Sequence, residues 1–181
     1  MSHLRLVKMQ KLLRITTKYM EIEDRIRMNA ECSDGDYISL WFTQRLLIRL
    51  AKNCIEILDK QPSEVHKIPA ADERPHLEVQ SLMQQSATTE SQKEEEVVIK
   101  NNSQSYFIRE IDIKHSSEGM VLVFREKEDK QAMLILNLEQ LRRWLNIVCS
   151  IWRKADWPME IWPDWVAVPE VEPSIDNKFL H

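Results

Sequence analysis

Apolar side chains along this chain change their period at Thr43, from two to that of a helix. From Arg25 to Cys32, Ile26, Met28, Ala30 and Cys32 alternate with Arg25, Arg27, Asn29 and Glu31, the period of two that marks a strand with one buried face. Ser33-Asp34-Gly35-Asp36 is turn chemistry because Asp-Gly tolerates positive φ, so Tyr37 to Phe42 is predicted to return as the antiparallel partner. Beyond it Leu47, Leu50, Ala51, Cys54, Ile55 and Leu58 fall at i, i+3, i+4, i+7, i+8 and i+11, one face of a helix. Thr43 is placed to cap that helix and Pro62 to stop it. A less regular mixture from about Lys11 to Ile22 predicts a first strand.

The same succession returns 94 residues later, the separation of Leu47 from Leu141. Met120, Leu122 and Phe124 take the places of Ile26, Met28 and Ala30, and Ala132, Leu134 and Leu136 those of Ile38, Leu40 and Phe42. Leu141, Trp144, Leu145, Val148, Cys149 and Trp152 repeat the helix face. Asn137 is again a cap, with Gln140 three residues on as in a capping box. The strands of this copy are expected at Tyr106 to Ile113, Gly119 to Arg125 and Gln131 to Leu136.

The predicted fold is therefore α+β, an internally duplicated β-β-β-α unit with two long helices about a pseudo-two-fold axis. Its strands form two antiparallel sheets or one joined sheet, since one helix alone scarcely covers a sheet. Residues 1–60 are the first unit and 105–156 the second. Residues 61–104, acidic and polar, are expected to be a flexible linker, too poor in apolar area to offset the entropy of ordering. From 157 the chain is rich in Trp and Pro. Proline there forbids a regular helix, and three indoles are too much apolar area to leave in water, so this tail is expected to dock on the body or on a partner.

Composition narrows the function more by exclusion than by assignment. Two glycines, Gly35 and Gly119, are too few for a phosphate-cradling loop or a dinucleotide fingerprint. A net charge of −4 gives no global attraction to nucleic acid or anionic lipid. Cys32, Cys54 and Cys149 are widely spaced, two of them on helix core positions, which suits reduced packing residues and a cytoplasmic location. No stretch is long and apolar enough for a signal peptide or a membrane span, so no membrane association is expected. The histidines are dispersed, and the acidic runs lack metal-ligand spacing. No cofactor, metal or catalytic residue is expected, and the chain is read as a non-enzyme.

Two surfaces remain. In the second copy, Val121, Val123, Met133 and Ile135 lie on the strand face opposite the helix, and an apolar face on both sides of a strand pair means both sides are covered. With Trp157, Trp162 and Trp165 of the tail they form the candidate surface for a protein partner or for self-association, cover within the chain being the ordinary alternative. In the first copy the equivalent face carries Arg25, Arg27, Tyr37 and Trp41, and cations interleaved with aromatics suit single-stranded nucleic acid. A mixed polar outer face is the ordinary reading of those residues. A duplicated sheet-plus-helix unit is also topologically similar to single-strand binders of the Whirly and purine-rich-element-binding kinds, which use more strands per unit. The similarity is one of fold and implies nucleic-acid binding only by analogy. The favoured reading is a non-enzymatic interaction or assembly module, ahead of a nucleic-acid binder and of an enzyme with a site between the repeats.

Overall fold

A computed structural model of the chain describes residues 9–60, 74–89, 95–99 and 103–167. In order these form β1 (Met9–Met20), β2 (Arg25–Cys32), β3 (Tyr37–Phe42), α1 (Gln44–Asp59), α2 (Arg74–Thr89), β4 (Gln104–Phe107), β5 (Glu110–His115), β6 (Gly119–Lys127), β7 (Lys130–Asn137) and α3 (Leu138–Lys154). The α+β class follows. Both caps read from the sequence are in place: the Thr43 hydroxyl accepts from Leu46 N, and Asn137 and Gln140 form the reciprocal capping box.

Of the two arrangements expected, two antiparallel sheets or one joined sheet, the strands form one sheet, and it is mixed rather than antiparallel throughout, curled and seven-stranded in the order β4-β3-β2-β1-β7-β6-β5. Two parallel seams join its halves. Met9–Lys11 of β1 pair with Gln131–Met133 of β7, and β4 pairs with Ile38–Trp41 of β3. The strand expected from Tyr106 to Ile113 is broken at Ile108 and Arg109. There the Ile108 amide donates to Trp41 O at 3.0 Å and the Arg109 amide to Arg125 O at 2.8 Å, so consecutive residues reach both ends of the sheet. Alternating sequence patterns carry no information on such parallel seams, which is why one sheet and two read alike from the sequence.

One face of the sheet carries Ile26, Met28, Leu40, Phe42, Met120, Leu122, Phe124 and Leu134, all buried, beneath the apolar faces of α1 and α3. Phe42 and Phe124, from the two halves, meet edge to face at 5.3 Å. Fully burying side chains of this size stabilises by about 1.5–3 kcal/mol each. The core thus spans both halves, and neither half is a separate body.

Within the stretch expected as a flexible linker, α2 is a third helix where two were expected. It packs on α1 and α3 through polar groups. Gln80 Nε2 donates to Leu58 O at 3.1 Å, Gln84 Nε2 to Arg142 O at 3.0 Å, and Arg142 Nη2 to Gln80 Oε1 at 2.6 Å. A composition argument weighs apolar area alone and is blind to buried glutamine hydrogen bonds. The remainder of 61–104, apart from 95–99 and 103–104, lies outside the described residues.

The tail docks on its own body as far as it is described, to Ala167. Trp152 of α3, fully buried, packs edge to face on Trp157 at 4.8 Å and on Trp162 at 5.6 Å, and its Nε1 donates to Pro158 O at 2.9 Å. Trp157 Nε1 donates to Asp24 Oδ1 at 3.0 Å, and the same oxygen accepts from Tyr19 OH. Asp24, at φ 46° in the β1–β2 turn, holds its carboxylate between the two rings. The Arg142 guanidinium lies over Trp165 at 5.3 Å.

Candidate functional site

After three paired residues β1 and β7 separate. A register shift between Leu12 and Arg14 turns β1 fully onto β2, while Leu134–Leu136 continue beyond the last pair with β1. The wedge between them is a cleft of about 460 Å³, closed on one side by α3. Trp144, 4% exposed, stands in it and donates from Nε1 to Thr17 Oγ1 at 3.3 Å. Around it Leu13, Ile135 and Ile147 are 62%, 49% and 47% exposed, three large apolar side chains on one cleft.

Of the charged residues that line this cleft, Arg14, Glu96 and Arg143 are engaged in ion pairs, and Glu95 is an exposed carboxylate. Arg14 pairs with Glu31 at 2.9 Å, Arg143 with Glu139, and Lys18 with Glu96. Arg143 Nε also donates to Ala87 O at 2.8 Å. With those three paired, Leu13, Ile135, Ile147 and the Glu95 carboxylate are the exposed groups the cleft offers.

Of the residues singled out in the sequence, Ile135 is on this rim. Val121 and Met133 are half-buried and Val123 is buried, on the same outward face, with Val121 opposite Ile135 and Val123 opposite Met133. Trp157, Trp162 and Trp165 are not part of an exposed surface: they are 7%, 6% and 2% exposed, covered by the chain's own core. Leu13 and Ile147 were missed. Leu13 sits in an irregular apolar run, and Ile147 falls off the helix face that the periodicity marks, an apolar residue where a polar one is expected.

The four residues of the other candidate face are not one continuous surface. Arg27 lies over Trp41 at 5.4 Å, and Trp41 stacks on Phe107 at 6.2 Å with planes 16° apart. Phe107, half exposed, lies across the parallel β3–β4 seam and was not visible from the sequence. Arg25 precedes Arg27 on β2. Toward Tyr37 the face is crossed by residues 95–99, where Val97 O accepts from Asn29 Nδ2 at 3.2 Å and Val97 N donates to Thr16 Oγ1 at 2.8 Å. Asn29 also accepts from Ser39 Oγ at 3.1 Å.

No family model, curated protein or solved structure matches this chain. Burial pushes the Cys54 thiol up to about 12 and raises that of Cys149, so neither is a thiolate at neutral pH. Among the described residues no cluster of three or more His, Cys, Asp or Glu could hold a metal ion, and no helix is long and apolar enough to cross a membrane. The buried Arg142 lies near Asp59 and His76, both partly exposed. Burial raises the Asp59 carboxyl above its usual range against the pull of His76 and Arg142, and lowers the Arg142 guanidinium. Its bonds to α2 give the cluster a structural role.

Proposed function

We propose that this protein is a non-enzymatic interaction or assembly module whose partner protein seats in the cleft between β1 and β7. The observation that carries the reading is the convergence of Leu13, Ile135 and Ile147, exposed apolar side chains of three elements, on one cleft. The edge of β7 beyond Met133 adds backbone groups that an extended segment can use. We also read the chain as one β-β-β-α unit used twice, over 1–60 and 105–156, and as a cytoplasmic protein. The pairing registers support the duplication: Ile26 opposite Phe42 and Met120 opposite Leu136 are spaced by 94, as are the seam pairs Ile38–Gln104 and Gln10–Ala132 with the partners exchanged.

The test is capture of partners by the tagged protein from its host in the presence of nuclease, repeated with Ile135→Asp and with Leu13→Asp. Both positions are exposed, so the variants should fold, with stability changed by no more than about 0.5–1 kcal/mol. At least one protein partner should survive nuclease and fall about tenfold or more in both variants. Equal capture by wild type and variants would sink the cleft as the binding site.

A second reading has its own observation in the Arg27–Trp41–Phe107 row, a cation on an aromatic pair. Single-stranded nucleic acid stacked there should bind in a salt-dependent manner, and Trp41→Ala should weaken binding by about 1–3 kcal/mol for the stacked base. Fluorescence titration with oligonucleotides at two salt concentrations checks this, and affinity indifferent to both changes would remove it.

A further inference from the structure

Hydrogen bonds at the two ends of β6 fix which way the edge of β7 faces. Ser116 N donates to Gly119 O at 2.9 Å and Arg109 N to Arg125 O at 2.8 Å, so Gly119 and Arg125 turn their carbonyls toward β5. Successive residues of a strand present their backbone groups to opposite sides, so the residues that alternate with Gly119 and Arg125 face β7. Met120, Leu122 and Phe124 thus exchange bonds with Leu136, Leu134 and Ala132, and the N–H and C=O of Ile135 turn the other way, into the wedge between β7 and β1. Asn137 N, next along that edge, is taken by Gln140 Oε1 at 2.9 Å.

The facing edge of β1 follows in the same manner. Trp41 O accepts from Ile108 N at 3.0 Å and Cys32 N donates to Asp36 O at 2.8 Å, so Ile26, Met28 and Ala30 bond to β3, and Arg27, Asn29 and Glu31 to β1. Their partners on β1 are Lys18, Thr16 and Arg14, which leaves the backbone groups of Ile15 and Thr17 facing Ile135 across the wedge. Among the described residues no backbone hydrogen bond bridges it, because the β1–β7 pairing ends at Lys11 and Met133. The other parallel seam runs one pair longer, to Trp41 with Phe107, and closes on Ile108 N. Trp144 and Ile147 of α3 line one side of the wedge, and Ile135 and the exposed Glu95 carboxylate also line it.

Resting on the reading of this cleft as a protein-binding site, we propose that the partner enters it as an extended segment, an added strand between β1 and β7. Its backbone bonds to Ile15 and Thr17 on one side and to Ile135 on the other. Side chains of a strand alternate, so apolar ones meet Trp144 and Ile147 on the α3 side, and a Lys or Arg between them meets Glu95. The chemistry recognised is a linear segment of another polypeptide, apolar at every second position, with a cation between.

The test pans a phage-displayed library of random linear peptides against the full chain, with the Ile135→Asp protein as counter-selection, and synthesises the enriched peptides. These should carry the alternating pattern with a Lys or Arg. On binding, the Ile15, Thr17 and Ile135 amides should exchange with solvent about tenfold or more slowly, and N-methylation within the paired stretch of the peptide should weaken binding about tenfold. Glu95→Lys should weaken it about fivefold or more, and changing the peptide's cation to Glu should restore it. Peptides that require Ile135 but tolerate N-methylation throughout, and leave the three amides unprotected, would overturn the added strand while the cleft remained a binding site. No enrichment over the Ile135→Asp protein would overturn it as well, whatever host capture shows. Slow exchange of those amides in the protein alone would mean that its own chain or a second copy already fills the wedge, and would equally overturn it.

Discussion

Trp152→Ala should lower the stability of this protein by about 3–5 kcal/mol, the range for removing a large aromatic from a packed core. Trp152 is fully buried on the last turns of α3 and holds the tail through two edge-to-face contacts, to Trp157 and Trp162, and through its bond to Pro158 O. Truncation leaves a cavity, removes both ring contacts and takes away the hydrogen bond to the Pro158 carbonyl, and each of these is unfavourable. Because the tail indoles then lose their support, the described tail should also come off the body: amide protection over 157–167 should fall more than in α1. Urea denaturation followed by circular dichroism measures the first effect and hydrogen exchange the second. A loss below about 1 kcal/mol would mean that the tail does not depend on Trp152. Trp152→Phe keeps a ring but not the donor and should fall between the two.

Gly119→Ala should cost about 3 kcal/mol or more, far above the usual effect of adding one methyl group. Gly119 opens β6 at φ 159°, and a Cβ there would sit 2.3 Å from Leu136 O and 2.8 Å from the Asn137 Cα. Both are backbone atoms of the facing strand, immediately before α3, so relief requires moving β7 or the start of the helix. Strained backbone conformations cost on the order of 1–3 kcal/mol and overpacking a similar amount again. Gly35 is the internal control, because its φ of 85° is equally unusual for an L-residue while nothing lies within 4 Å of an added Cβ. Gly35→Ala should therefore cost only about 1–2 kcal/mol, the conformational share alone. Thermal melts of the two variants side by side check the difference, and equal melting temperatures would show that the contact with β7 yields without cost.

The strands and helices legible in the sequence were those whose pattern is set by one buried face. β2, β3, β6 and β7 alternate, α1 and α3 keep the helical period, and Thr43 and Asn137 cap them as their side chains allow. Which strands join the two halves was not legible, because the seams at Met9–Lys11 and Gln104–Phe107 are short parallel pairings between distant segments. Nothing in an alternating pattern names a partner. The helix α2 was hidden for a different reason. Its docking rests on Gln80, Gln84 and Ala87 at the surface of α3, residue types that composition assigns to linkers.

The candidate surfaces divided in the same way. Ile135 was visible as an apolar residue on an outward strand face, and it lies on the cleft. Leu13 and Ile147 join it only once the divergence of β1 from β7 and the setting of α3 bring them there. Trp41 was visible as an aromatic among cations, but Phe107, which stacks on it, comes from across a seam. The tail tryptophans show the limit of reasoning from area: three indoles must be covered, and sequence alone left open whether a partner or the chain's own Trp152 covers them.

The most direct test of the central claim is a photo-crosslinking amino acid placed at Ile135 in the protein expressed in its host, with the same residue at Ile22 as a control, an almost fully exposed position in the β1–β2 turn. If the cleft is a protein-binding site, irradiation should join position 135 to a defined segment of another polypeptide, identified by mass spectrometry, and give no such product from position 22. Crosslinks that are equal at the two positions, or that fall only on nucleic acid, would contradict it.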